Sequence, residues 1–403
     1  MADESKSESV DRRRHGQKGK RRRPKQTTKR RRGLVITAWI AGSVVLLGGG
    51  ALGYLYYRLN GNLTGVDINA ALGTDRPDDV DNGSMDILVL GSDSRAGKNS
   101  KYGKDEGGAR SDTAMILHVY EGRKKASVVS IPRDLLIDRP PCTKDGQEAP
   151  AAHRAMFNTA YEVGGPACAV KTVEAMTSIR MDHYMEVDFS GFKNLIDDLG
   201  GVDITTTERV RDKKSHLNLE PGDHTLNGEQ ALGLVRTRHA VGDGTDLGRI
   251  KLQQAFIKAL IDQVKDVNLF GSPKKLYDLA DTSTKSLTTD SELASVDKLL
   301  GFTRGLKGID SKHMTMVTLP VVYDTIDINR VVPMEEKAQQ VWQALLADQP
   351  IPKSATEGSV GNQPEAGKVV ESANGPEPDP TGGSTGPTPT TSTPALTPTG
   401  TRG

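Results

Sequence analysis

Residues 86–91 read DILVLG, a short apolar run closed by glycine, and the polar residues SDSR follow at 92–95. An apolar run of this length bounded by turn residues reads as a β-strand, and its neighbours in sequence repeat the pattern. Residues 114–119, 126–131, 184–188 and 314–319 read as further strands. Helical periods cover 189–199, 227–234, 246–267 and 334–347; in the third, Ile250, Ile257, Leu260, Ile261 and Val264 fall at helical spacing. Strands alternating with helices in this way predict a layered α/β/α domain around a central mixed sheet. In such a fold sites gather at the strand ends, which is where the charged residues stand.

Outward from this core the chain changes character. Of its 403 residues only 35% are hydrophobic and 4% aromatic, so part of the length is not packed core. The balance of 53 Lys and Arg against 52 Asp and Glu hides an asymmetry, because residues 1–33 hold 14 basic and 4 acidic residues. Residues 34–57 then carry no charge. As a helix they reach about 36 Å, against about 30 Å of bilayer hydrocarbon, which predicts one transmembrane helix. A cleavable signal peptide is the alternative, but the run exceeds an ordinary apolar core and lacks a small-residue cleavage site before Tyr54, Tyr56 and Tyr57. Arginine clusters flank only its N-terminal end, so that end is expected in the cytoplasm and everything after residue 57 outside, at the cell membrane. Gly49 and Gly53 form a G-x-x-x-G pair through which the helix could form a homodimer, although simple glycine enrichment explains them as well.

The expected organisation is therefore a basic cytoplasmic arm at 1–33, an anchor helix at 34–57, a polar linker at 58–82, a folded domain at 83–350 and a disordered Pro/Thr/Gly/Ser tail at 351–403. The arm has neither aromatic residues nor a helical apolar period, so it reads as a topology signal touching anionic lipid, and no nucleic acid is expected. A formal G-x-S-x-G at 382–386 lies in the tail, where no strand, turn and helix surround it, and it is coincidental. Cys142 and Cys168, both outside the cytoplasm in this topology, are expected to form a disulfide contributing about 3 kcal/mol. The eight histidines form no H-x-H or H-E-x-x-H pattern, which argues against zinc.

At the strand ends, Asp93 with Arg95 and Arg110 with Asp112 pair opposite charges two residues apart, a spacing that puts both on one face of an extended chain. Arg133 follows the third strand, and Arg236 with Arg238 repeats the spacing with two cations that repel unless an anion lies between them. Asp246 opens a helix on which Arg249 and Gln253 share a face near the positive dipole end. Arginines alone point to anion binding; arginines with carboxylates point to a metal held between Asp and phosphate oxygens. Each Asp/Arg pair taken singly reads equally as a surface ion pair, and Asp246 as a helix cap.

Seven ordered blocks carry a resemblance: DILVLGSDSR, ARSDTAMILHV, VVSIPRD, FNTAYEVGG, VDFSGFKNLIDDLGGVDI, LNGEQALGLVRTRH and DLGRIKLQQ. From about residue 86 to residue 264 the chain resembles the LytR-CpsA-Psr family of cell-envelope proteins. The resemblance implies a membrane-anchored phosphotransferase that moves an anionic glycopolymer from a polyprenyl-pyrophosphate carrier to a peptidoglycan hydroxyl. It implies that Asp93 and Asp112 hold Mg²⁺, or Mn²⁺ in its place, and that Arg95, Arg110, Arg133, Arg236 and Arg238 bind the pyrophosphate. Arg249 and Gln253 match a motif at the same site, and Asp246 or Asp93 is the candidate for deprotonating the acceptor hydroxyl. The family's lipid tunnel would be lined here by Phe189, Phe192, Leu195, Ile196, Leu199, Phe256, Leu260 and Ile261, each of which also reads as ordinary core. The tail offers no counterpart to the extra C-terminal domain of some members. Two other readings stay open: a pyrophosphatase using water as acceptor, and a non-enzymatic envelope regulator supported by the basic arm.

Overall fold

The structure is a computed structural model that describes residue 43 and residues 48–92, 111–144, 146–237, 246–266, 272–360 and 370–372. The chain divides into two compact units, Met1–Arg58 and Leu59–Gly403. In the first, residues 48–58 are helical and expose Leu52, Tyr54 and Tyr57. Among the described residues no helix is long and apolar enough to cross a membrane. Most of the expected anchor at 34–57 lies outside the described residues.

The second unit is built on a seven-stranded sheet. Its strands are β1 (Thr64–Val66), β2 (Met85–Ser92), β3 (Ser111–Val119), β4 (Ala126–Ile131), β5 (His183–Asp188), β6 (Leu287–Asp290) and β7 (Met314–Thr318). In space they run β1, β6, β5, β2, β3, β4, β7. β2 is parallel to β5 and antiparallel to β3, β4 is parallel to β7, and β1 is parallel to β6, so the expected mixed sheet is present. The helices are α1 (Asn158–Thr177), α2 (Phe189–Leu199), α3 (Gly228–Arg236), α4 (Asp246–Asp266), α5 (Pro273–Ser286), α6 (Val296–Leu306) and α7 (Glu335–Leu346).

Strand alternation divides the apolar side chains between the two faces. Leu88, Leu90, Ala114, Ile116, Val129 and Ile131 meet Ala169, Val170 and Val173 of α1 and Val341, Trp342 and Leu345 of α7. On the opposite face Ile87, Val119 and Ala126 meet Phe302 and Leu306 of α6. This is the expected α/β/α layering. A second core joins α2, α3 and α4 to the hairpin of Val202–Thr206 and Gly222–Leu226. Ile196 and Phe256 are fully buried there with Phe192 and Leu260 packed against them, so for these expected tunnel residues the core reading holds.

Three sequence expectations are corrected. The polar linker contributes β1 to the sheet edge, because Thr64–Val66 finds open backbone hydrogen bonds along β6. The folded part extends past residue 350: Ala355 is buried in the main core, and Val370–Ser372 pairs with Val202–Thr206. Most of α1 was not expected as helix, since its centre reads Gly164-Gly165-Pro166. Gly165 takes φ +64° and breaks the helix, and Pro166, which needs no N–H partner in a first turn, restarts it.

That break serves the expected disulfide, which joins Cys142 to Cys168 of α1. A Cβ on Gly164 would stand 2.4 Å from Cys168 Cβ and 2.9 Å from Cys142 Cβ. Gly164→Ala is therefore expected to destabilise the oxidised protein by about 1–3 kcal/mol through overpacking. Denaturant melts check this, and the penalty should shrink once the disulfide is reduced.

At the sheet end where β2 begins, His118 is fully buried between two carboxylates, 2.8 Å from Asp86 Oδ1 and 3.1 Å from Asp348 Oδ1, with its ring edge-on to Tyr120. Burial pulls the imidazole pKa down, but hydrogen bonds and charge from Asp86 and Asp348 outweigh it and raise the value above the ordinary 6.5. Asp86 moves up as well, because for a group facing a single imidazole burial outweighs the pairing. The imidazolium contribution is complete below pH 6.5 and is lost as pH rises through the raised folded value. Asp86 acts in the same direction: its contribution is complete below the ordinary carboxylate value of 3.8 and is lost as pH rises through its raised folded value. The unfolding midpoint is expected to fall as pH rises from 6.5, and His118→Gln should flatten that slope.

Candidate active site

The opposite end of the sheet, where β2 and β4 finish and β3 starts, gathers the charged groups. On the face covered by α1, one row of side chains is Tyr184, Leu88, Ile116 and Val129, and the next is Glu186, Leu90, Ala114 and Ile131. Beyond them stand Asp188, Ser92, Asp112 and Arg133, with an irregularity in the β2–β3 register between Gly91 and Ser92. The apolar face thus turns polar within one strand repeat.

Arg133 leaves β4 after Pro132, and its Nη1 donates to Asp112 Oδ1 at 2.8 Å; the two side chains are 17% and 21% exposed. Its Nε lies 3.5 Å from Asp134 Oδ2, and Asp134 in turn faces Arg330 Nη1 at 3.8 Å. The Arg133 carbonyl accepts from the Asn158 N–H at the start of α1, which fixes the turn. From α4, Arg249 Nη2 donates to the Asp112 carbonyl at 2.9 Å, and Gln253 Nε2 donates to Thr113 Oγ1 and the Val235 carbonyl, each at 3.0 Å. Both α4 side chains are buried, so this helix braces the start of β3 while its positive dipole end adjoins Asp112.

Arg236 is the last residue of α3 rather than part of an extended pair, and its guanidinium lies 5.0 Å above the Phe189 ring. The capping box of Asn227 and Gln230 fixes where α3 begins, and the Thr237 N–H bonded to the Leu234 carbonyl closes it after Arg236. The structure therefore brings Asp112, Arg133, Arg249 and Gln253 together and sets Arg236 over the first turn of α2. Asp93, Arg95, Arg110 and Arg238 lie outside the described residues, as does the Asp246 side chain. Among the described residues no three His, Cys, Asp or Glu side chains cluster as a metal cage.

Sequence reasoning missed one group on this face. Glu186 of β5 is half-buried, and it accepts from Tyr161 Oη at 2.8 Å and from Tyr184 Oη at 2.6 Å. Burial, and then the Glu186 charge, push both phenol pKa values up, so the phenols stay protonated as donors. The signal was the spacing of Tyr184 and Glu186, which puts a carboxylate on the core-facing side of its strand.

Guanidinium groups and a carboxylate thus meet at the strand ends of an α/β/α domain, a set of groups whose chemistry suits a phosphate. Residues 55–347 match the model of the LytR_cpsA_psr family, and the chain belongs to that family. Cell wall biosynthesis protein LcpA of Corynebacterium glutamicum is 29% identical over 334 residues, 73% of this chain, which spans only 63% of that relative. Polyisoprenyl-teichoic acid--peptidoglycan teichoic acid transferase TagT of Bacillus subtilis is 30% identical over 291 residues, 70% of this chain and 84% of the relative. A solved LytR-Csp2A-Psr enzyme from Actinomyces oris shares the fold, with TM-score 0.51 and 23% identity over 70% of this chain and 95% of its own.

Proposed function

We propose that this chain is a phosphotransferase that moves an anionic glycopolymer from a polyprenyl-pyrophosphate carrier to a peptidoglycan hydroxyl, releasing polyprenyl phosphate. The observation that carries the reading is the convergence of Arg133 and Arg249 on Asp112 at the strand ends. Charge builds on the leaving phosphate when the diphosphate is cleaved, and guanidinium groups fixed before the reaction stabilise it without a covalent intermediate. Arg133 and Arg236 would bind the diphosphate oxygens, with Arg95, Arg110 and Arg238 as further cations of the same cluster. An acceptor hydroxyl attacks the sugar-side phosphorus as the bond to the polyprenyl phosphate breaks, and Asp93 or Asp246 takes its proton.

Asp112, which accepts from Arg133 at 2.8 Å, offers hard carboxylate oxygens of the kind Mg²⁺ selects. One or two carboxylates suffice when phosphate oxygens complete the shell, so Asp112 with Asp93 would hold Mg²⁺ or Mn²⁺, which would neutralise diphosphate charge. The TagT relative, named a polyisoprenyl-teichoic acid--peptidoglycan teichoic acid transferase, supports both the polyisoprenyl-linked donor and the peptidoglycan acceptor. The uncharged stretch at 34–57 and the exposed Tyr54 and Tyr57 support a single-pass anchor, with the N-terminus cytoplasmic and the domain outside.

The test gives the full chain in detergent a short polyprenyl-pyrophosphate oligosaccharide, Mg²⁺ and soluble peptidoglycan fragments, with products followed by mass spectrometry. A glycan-phosphate-peptidoglycan adduct is expected. Phosphorylated glycan formed in equal yield without the fragments would turn the reading to hydrolysis, and unchanged donor would remove the catalytic reading.

A further inference from the structure

We propose that Glu186 is the hydroxyl-binding carboxylate of a saccharide subsite on the α1 side of the strand ends, held in place by Tyr161 and Tyr184. This rests on the phosphotransferase reading and adds to it the place where a sugar ring is recognised.

Among the described residues, three other carboxylates near this end are committed to partners that explain them. Asp112 is bound by Arg133, Asp134 stands between Arg133 and Arg330, and Asp188 caps α2 by accepting from the Gly191 N–H at 2.9 Å. Glu186 differs. Among the described residues its hydrogen-bond partners are two phenols and no cation, although its row of the sheet is otherwise Leu90, Ala114 and Ile131. A half-buried carboxylate without a counter-ion is unfavourable unless donors replace the lost water, and two phenol hydroxyls do so. Each carboxylate oxygen accepts more than one hydrogen bond, so the pair of phenols holds Glu186 and leaves acceptor capacity on both oxygens of this partly exposed side chain.

The chemistry of what it accepts follows from its neighbours. Glu186 lies on β5, two strands from Asp112 on β3, a lateral distance of about 10 Å. A second phosphate at Glu186 would be repelled by the carboxylate, whereas a neutral group rich in O–H donors would be drawn to it. A saccharide esterified to a diphosphate held at Arg133 meets both demands, and so does the saccharide that brings the acceptor hydroxyl. Tyr161, half-buried beside Glu186, adds an aromatic ring, and it is on the electron-rich face of such rings that sugar C–H groups pack.

The experiment measures affinities of the full chain in detergent for three probes: polyprenyl diphosphate without sugar, the same lipid carrying a disaccharide, and a soluble peptidoglycan disaccharide-peptide. Glu186→Gln should weaken binding of a saccharide probe about tenfold or more while leaving the sugar-free lipid within about twofold of wild type. Tyr161→Phe should weaken the same probe by about threefold, and it carries the test if the first variant does not fold. A loss confined to the lipid disaccharide assigns the subsite to the donor, and a loss confined to the peptidoglycan fragment assigns it to the acceptor. Equal affinities for all three probes, or equal losses on all three, would overturn the inference. Failure of wild type to bind the sugar-free lipid would instead remove the phosphotransferase reading. In that case an unchanged affinity of Glu186→Gln for the peptidoglycan fragment would overturn the inference too.

Discussion

Arg133→Ala is expected to lower the rate of glycan transfer roughly 10²–10³-fold, the usual effect of removing one preorganised donor from a developing oxyanion. On the proposed function two changes act together: the diphosphate would lose a guanidinium, and Asp112 loses its ion-pair partner at 2.8 Å, so a carboxylate would face the substrate without that cation. Arg133→Lys should recover only part of the rate, because a point charge does not reproduce a planar fork shared between carboxylate and phosphate. Single-turnover rates measured beside donor affinity separate the two contributions. A variant that melts like wild type and transfers at the wild-type rate would remove Arg133 from the chemistry.

The largest stability effect is expected at Arg76→Ala, by about 3–5 kcal/mol, because it strands a buried carboxylate. Arg76 Nε lies 3.1 Å from both oxygens of Glu174, its Nη2 donates to the Met181 carbonyl at 2.8 Å, and both charged side chains are 3% exposed. Glu174 also accepts from the Met181 N–H at 3.0 Å, so the pair ties the segment after β1 to the end of α1. Urea unfolding should show a lower midpoint at an unchanged m value. The double replacement Arg76→Met with Glu174→Leu should restore much of the loss, since neither charge is then left alone.

Those residues also mark how far the sequence could be read. The strands were legible because β2, β3 and β4 carry apolar residues on the core-facing side and are bounded by turn residues, and α2, α4 and α7 because their apolar spacing is helical. The long helix α1 was hidden by Gly164-Gly165-Pro166, where a tertiary demand, room for the disulfide, overrides local propensity. β1 was hidden because three residues carry no periodicity, and only the register with β6 makes them a strand. At the site, Arg133 and Asp112 were legible as charges at strand ends. Glu186 was not, because its meaning comes from Tyr161, 25 residues away in sequence. Arg236 ends α3 instead of standing in the expected extended pair, since the helix signal of residues 227–234 gave no sign of where α3 stops.

The pairing of β1 with β6 also sets a schedule. Thr64 stands beside Thr288, Asn62 Nδ2 donates to Asp281 Oδ1 at 3.1 Å, and the Val296 N–H donates to Asn60 Oδ1 at 2.8 Å. The first strand to emerge during synthesis is thus completed by segments made more than two hundred residues later. Contacts of such sequence separation close the largest loops and form slowly. The sheet edge must therefore remain unpaired until almost the whole domain has been made, so a nascent chain halted before residue 287 has Arg133, Arg236 and Arg249 and no finished edge to protect it.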